Sequence, residues 1–314
     1  MEGPLLGSVE LVRGWRTINC GWCGANGEIM GDENHLRLQL LADRARREAV
    51  RELGELGGGD FDAAMAPAEV LAVILGYGIC RDQRERDLIG QNRFVITRRY
   101  ASSTLRSVLA FRGFLDGVPD LLTMPLPAFT AECQRGRVPG VDLTADTLPR
   151  GLSAALGMAL ALRADRMDHD VYALLDGGSL EETLDTLRMA AQMRADRLMV
   201  FLEDRTPLGN RHDLSAVGCR FRDCGWQVQE LNGHSVKEIR AAIYDSRMMT
   251  GRPHAMILHT VAGKGCTFAE GLADCRDKKT TESLTRSALL ALDGKIREEM
   301  AELEAILNGE KNSQ

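Results

Sequence analysis

Three short polar segments in the second half of the chain hold the residues best equipped for chemistry. Asp176-Gly177-Gly178-Ser179 follows an apolar run at 171–175. An aspartate there, followed by two glycines, suits a hard cation that bridges a phosphate, because the carboxylate supplies oxygen and glycine lets backbone amides approach. The same four residues also make an ordinary tight turn entering a helix. Glu203-Asp204-Arg205-Thr206 closes a second apolar run at 198–202, and His259-Thr260-Val261-Ala262-Gly263-Lys264-Gly265 closes a third that begins at Ala255. His259 could face a ligand or sit as a satisfied core histidine, and Lys264 could meet an anion or stay solvated in its turn. Cys20-Gly21-Trp22-Cys23 has the spacing of a redox pair or half a zinc site. It lacks the strand-helix context of a redox motif, and the more widely spaced Cys219 and Cys224 lie far along the chain, so it reads as two thiols in an N-terminal arm.

Segments so far apart in sequence need a scaffold that brings strand ends together. Apolar runs at 93–97, 171–175, 198–202 and 255–259, with a weaker one at 227–231, alternate with helical patterns. Continuous apolar strands are buried on both sides, which predicts an α/β fold: a doubly wound parallel sheet with helices on both faces and right-handed crossovers. Ligands of such sheets bind beyond the carboxyl ends of the strands. That rule selects the three segments above.

The helical patterns cover 35–54, with Leu36, Leu38, Leu40, Leu41, Ala45, Ala49, Val50 and Leu53 approximating a stripe, then 67–75, 105–114 and a small-residue helix from Gly151. Further helices are expected over 180–194, up to Cys224, over 236–248 with Ser235 as its cap, and over the acid-rich 281–308. The first thirty-odd residues read as an irregular surface arm. The span 119–149 holds five of the nine prolines and reads as one long crossing loop.

Composition narrows the function classes. A chain of 314 residues, 44% hydrophobic and 27% charged, buries about three quarters of its unfolded surface, which excludes a disordered, collagen-like or disulfide-stapled protein. The net charge is −6 with acids and bases interspersed, so no basic field gathers nucleic acid. The apolar stretch 154–162 stops at Arg163, short of the roughly 20 residues a bilayer span needs. No membrane association is expected. The first residues lack a secretion signal's basic and apolar regions, and eight cysteines are too dilute for a disulfide framework, so the expected compartment is the cytoplasm.

Several motifs together resemble the N-terminal, diphosphate-binding part of transketolase, above all the split form in which two chains equal one full enzyme. Gly151-Leu-Ser-Ala-Ala-Leu-Gly-Met-Ala-Leu-Ala is similar to the family's GLS-x-x-x-GMALA helix. Phe221-Arg-Asp-Cys-Gly-Trp-Gln-Val followed by Asn232-Gly-His-Ser is similar to its F-x-x-x-GW-x-V and DGHD. Gly251-Arg-Pro-His and His259-Thr-Val-Ala-Gly-Lys-Gly are similar to its GKP…HTVKGKG. The resemblance runs from about residue 35 to 305 and is strongest after 150. It implies a 1–34 extension and a 35–314 diphosphate-binding domain.

The resemblance further implies thiamine diphosphate held through Mg2+, a C-terminal transketolase-like partner chain that binds the pyrimidine, and a dimer of heterodimers. The residues it selects are Asp176 and Thr206 for the metal, Asp176, Gly177, Gly178, Thr206, His259 and Lys264 for the cofactor, and His259 for catalysis. His234 is assigned no chemistry. The chain also departs from the family. The metal motif GDGE reads Asp176-Gly177-Gly178-Ser179, so either Asp176 is the metal carboxylate or Gly177 falls at that place. The family's His-Pro-Gly-Gly reads Leu56-Gly57-Gly58-Gly59, its Lys-Gly-His reads Arg98-Arg99-Tyr100, and its Trp-His-Gly falls near Cys275-Arg276-Asp277. Tyr100 can donate a hydrogen bond, and Arg98, Arg99 and Arg276 can bind phosphate. Two functions follow: a divergent transketolase-like transferase working with a partner, or a non-catalytic scaffold or regulator that has lost the cofactor.

Overall fold

The computed structural model describes residues 32–79, 91–176, 180–204, 212–272 and 275–311. The elements run α1 (Asp32–Glu55), β1 (Gly58–Gly59), α2 (Phe61–Met65), α3 (Ala68–Val73) continuing as a π-helical turn (Ile74–Gly78), β2 (Arg93–Thr97), a 3-10 turn (Arg98–Tyr100) and α4 (Ser103–Phe111). Then come α5 (Asp120–Thr123), α6 (Leu126–Gln134), β3 (Leu143–Ala145), α7 (Leu148–Ala164), β4 (Val171–Leu175), a 3-10 turn (Glu181–Thr183) and α8 (Leu184–Gln192). The chain continues with β5 (Leu198–Asp204), α9 (His212–Asp223), β6 (Gln227–Asn232), α10 (Val236–Met248), β7 (His254–His259), β8 (Lys278–Lys279) and α11 (Glu282–Lys311).

Six strands form one sheet in the order β3-β2-β4-β5-β7-β6, and each neighbouring pair is parallel. Strand alternation explains why β4 and the interiors of β2, β5 and β7 are apolar at consecutive positions. Phe94, Ile96, Tyr172, Leu174, Met199, Phe201, Met256 and Leu258 enter one layer with α1, α3, α4 and α10. Val95, Val171, Ala173, Leu175, Val200, Leu202, Ala255 and Ile257 enter the other with α7, α8 and α9. The expected doubly wound sheet is therefore the fold observed.

The proline-rich span differs from the expected loop, because α5, α6 and the edge strand β3 lie within it. Pro119 and Pro125 sit at helix N-caps and Pro127 in a first turn. There the missing amide costs no intrahelical hydrogen bond. The cap expected at Ser235 is present, its hydroxyl accepting the Glu238 amide at 3.3 Å. Phe61–Gly78 has the length and apolar character of a membrane span, yet 94% of it is buried in the domain, where it forms core.

Helix α11 returns across the molecule to α1. Leu40, Ile296 and Leu303 make one apolar contact between them, and Ala49, Leu53, Ala288 and Leu292 belong to a second cluster with Phe61 and Cys275. Nearby, β1 pairs antiparallel with β8, matching Gly58 to Lys279 and Gly59 to Lys278. Only glycine suits position 58: its φ is +142°, and a Cβ would stand 2.4 Å from the Lys278 carbonyl.

A polar contact joins the two helices: Lys295 Nζ lies 2.8 Å from Asp43 Oδ2 and 3.6 Å from Glu299 Oε1. Burial, with the Asp43 charge beside it, pushes the Glu299 carboxyl up to about 8. A carboxyl raised in the folded state favours folding while it holds its proton, and that advantage drains away as pH climbs from the unfolded value toward 8. Glu299→Gln is therefore expected to raise Tm relative to wild type more at pH 8 than at pH 5. Parallel melting curves at the two values check this, and an equal shift at both would refute it.

Candidate functional site

Strands β2 and β4 are neighbours whose connections part company. The chain leaving β2 enters α4 in the first layer, and the chain leaving β4 enters α8 in the second. A crevice opens at such a switch point, beyond the carboxyl ends of the two strands. Asp176 stands there, half-buried, directly after β4, and its amide donates to Thr97 Oγ1 at the end of β2 across 3.1 Å. This bond ties the two lips of the crevice together.

The turn after β2 supplies Arg98, Arg99 and Tyr100. Arg98 is exposed at the rim. Arg99 is engaged by Asp62 at 2.8 Å and Asp60 at 3.2 Å, and Asp60 in turn accepts the Ala63 amide at the start of α2. Tyr100 is fully buried, and its hydroxyl donates to Glu203 Oε2 at the end of β5, 3.0 Å away. The position similar to a family histidine thus holds a phenol already committed to a buried carboxylate. Arg99, expected as a phosphate ligand, is matched by aspartates.

The loop after β7 is held at several points. Glu270 accepts from Lys264 Nζ at 2.7 Å and from the Gly265 amide at 3.0 Å. Partial burial opposes ionisation of Glu270, yet these two donors hold its carboxyl below the ordinary range. Lys264 therefore reaches the edge as one half of an ion pair. His259 follows the alternation that carries Ala255 and Ile257 into the second layer, and its Nε2 is 4.0 Å from Glu230 Oε2 on β6.

The three segments singled out in the sequence end β4, β5 and β7, which are neighbours in the sheet, so Asp176, Glu203 and His259 stand along one carboxyl edge. Strand β5 stands between β4 and β7, a separation of two strand spacings or roughly 10 Å. Gly177, Gly178 and Thr206 lie outside the described residues, as do Cys20 and Cys23. Among the described residues no three His, Cys, Asp or Glu side chains gather as a ligand set. A lone strand-end carboxylate still fits Mg2+, which takes one or two protein carboxylates and fills its octahedron with phosphate oxygens and water. The hydrogen bond from its amide to Thr97 Oγ1 fixes the backbone that carries it.

Beneath the β7 loop lies a buried charge network absent from the expected site. Arg46 of α1, fully buried, grips Glu69 of α3 with both terminal nitrogens, Nη1 at 2.6 Å from Oε1, and also donates to Asp43 Oδ1 and the Met65 carbonyl, each at 3.1 Å. Burial alone would raise the Glu69 carboxyl, but Arg46 and His234 hold it far below its usual range. His234 Nδ1 lies 3.1 Å from Glu69 Oε2, and the Val261 amide donates to His234 Nε2 at 2.8 Å. The only sequence signal for this network was the Asn232-Gly-His-Ser motif.

Residues 38–279 match the family model described as transketolase, thiamine diphosphate binding domain. The chain belongs to that family. A 6-deoxy-6-sulfo-D-fructose transketolase subunit from a Clostridium species is 28% identical over 269 residues, covering 83% of this chain and 98% of the relative. An apulose-4-phosphate transketolase subunit of Phocaeicola vulgatus is 27% identical over 246 residues, covering 75% and 86%. The crystal structure of Campylobacter jejuni transketolase superposes with a TM-score of 0.65 at 19% identity over 88% of this chain, which is the same fold. The match spans 49% of that longer chain.

Proposed function

We propose that this chain is the diphosphate-binding subunit of a two-component, transketolase-like transferase. It works in the cytoplasm with a separate C-terminal transketolase-like subunit that binds the pyrimidine, as a dimer of heterodimers. The observation that carries the reading is Asp176, a carboxylate fixed through its own amide to Thr97 at the switch-point crevice. Asp176, with the Thr206 hydroxyl, would hold Mg2+, and the amides of Gly177 and Gly178 would meet the diphosphate at the start of the following turn. Lys264 on the same edge, paired with Glu270, would meet the cofactor. His259, at the end of β7 on the same edge, would face the cofactor and carry the proton transfers.

Bound thiamine diphosphate supplies a nucleophilic ring carbon for transfer of a ketol fragment. The substrate class follows from the rim. Arg98 is exposed there, and the two relatives that are themselves subunits are named for sugars that carry a sulfonate or a phosphate. An anionic ketose is the substrate we infer, with Arg98 and Arg276 meeting its charged end.

Calorimetric titration of the chain with its partner tests the reading. Saturable heat on adding thiamine diphosphate with Mg2+ is expected. No heat at millimolar cofactor would overturn it in favour of a scaffold, the role that the pairing of Arg99 and Lys264 with carboxylates would then suit.

A further inference from the structure

His234 has no part in the function proposed above, yet it stands where the buried charges of α1 and α3 reach the loop after β7. Its two ring nitrogens have different jobs. The Val261 amide is a donor, so Nε2, which it meets at 2.8 Å, carries no proton. Nδ1 therefore bears the hydrogen and donates it to Glu69 Oε2 at 3.1 Å. Arg46 Nη2 at 3.4 Å from Nδ1 is then a donor beside a donor, and the guanidinium is satisfied by Glu69 and Asp43 instead.

The turn that carries His234 is itself pressed against the loop. The Gly233 amide donates to the His259 carbonyl at 2.9 Å, and a Cβ on Gly233 would stand 2.6 Å from Thr260 Cγ2. The His234 amide donates to Asn232 Oδ1 at 3.0 Å, which sets the ring's starting point. From Arg46 to Val261 the line of bonds is continuous, running from Glu69 and Arg46, each 1% exposed, to the partly buried His234 and Val261. Loops at strand ends otherwise depend on their own backbone bonds, and this one is pinned from below at the Val261 amide.

We propose that His234 is a positioning residue. Oriented as the Nδ1–H tautomer by Glu69, it fixes the Val261 amide and with it the course of residues 261–265, the stretch that presents Lys264 at the carboxyl edge. The consequence for cofactor affinity rests on the function proposed above, whereas the consequence for the loop does not.

Two substitutions in the full chain separate the outcomes. His234→Phe keeps a ring but removes both hydrogen bonds, and His234→Gln retains an acceptor and a donor on a side chain of similar reach. Amide hydrogen exchange is expected to speed up roughly tenfold or more over 261–265 in His234→Phe, the loss of one to two buried hydrogen bonds, while β4 and β5 keep their protection. His234→Gln is expected to restore wild-type exchange. Unchanged exchange in His234→Phe, acceleration spread evenly over all strands, or failure of glutamine to rescue would each overturn the assignment.

In complex with the partner, Mg2+ and thiamine diphosphate are expected to bind His234→Phe about tenfold more weakly than wild type or His234→Gln. Equal affinity in all three would overturn the link between the loop and the cofactor. A wild-type complex that takes up no cofactor would instead sink the functional reading, and the exchange data would still decide the role of His234.

Discussion

Arg46→Met is expected to cost about 3–5 kcal/mol of folding stability, the usual penalty for stripping one partner from a buried ion pair. Glu69 would then be left 1% exposed with hydrogen bonds from His234 and Gln39 but no cation against it, and Asp43 would keep Lys295 and Gln39. Urea denaturation at pH 7 measures the loss. Removing both charges, as Arg46→Met with Glu69→Met, should recover part of it, because two apolar side chains of similar volume leave no charge without a counter-charge. A single-variant loss under about 1 kcal/mol would show that the network contributes no more than an exposed pair.

Asp176→Ala is expected to weaken Mg2+-dependent binding of thiamine diphosphate by roughly a hundredfold or more, beyond the loss seen when a mere supporting partner of a metal ligand is removed. Its side chain is half-exposed, so the melting temperature should barely move. Titration of the chain with its partner, with and without Mg2+, reads the effect. Unchanged affinity would place the metal carboxylate elsewhere and favour the alignment in which Gly177 takes the family's aspartate position.

The fold was legible because burial on two faces leaves its mark on every strand residue. The runs at 93–97 and 171–175 coincide with β2 and β4, and the Ser235 cap and the 236–248 helix with α10. The span 119–149 was not legible, because a proline that starts a helix and a proline that breaks a loop look alike when the first turn cannot be seen. Asp176 could be found from its strand-end position. That β4, β5 and β7 stand side by side could not, since β6 separates β5 from β7 along the chain yet lies outside them in the sheet.

The charge network was hidden for a different reason. Arg46, Glu69 and His234 come from α1, α3 and the turn before α10, and nothing in the local pattern of an amphipathic helix separates an inward Arg from a solvated one. Arg46 even interrupts the apolar stripe of its helix. Only the assembled layers show that its charge is surrounded.

The pairing of α1 with α11, and of β1 with β8, joins segments more than two hundred residues apart. During synthesis the first of each pair leaves the ribosome long before the second, since chains emerge from the amino end. Leu40 of α1, and Ala49, Leu53 and Phe61 in the second cluster, lack their cover from α11 until residues 282–303 are translated. Sealing that face is therefore a late step in the order of synthesis, after every strand of the six-stranded sheet has been made.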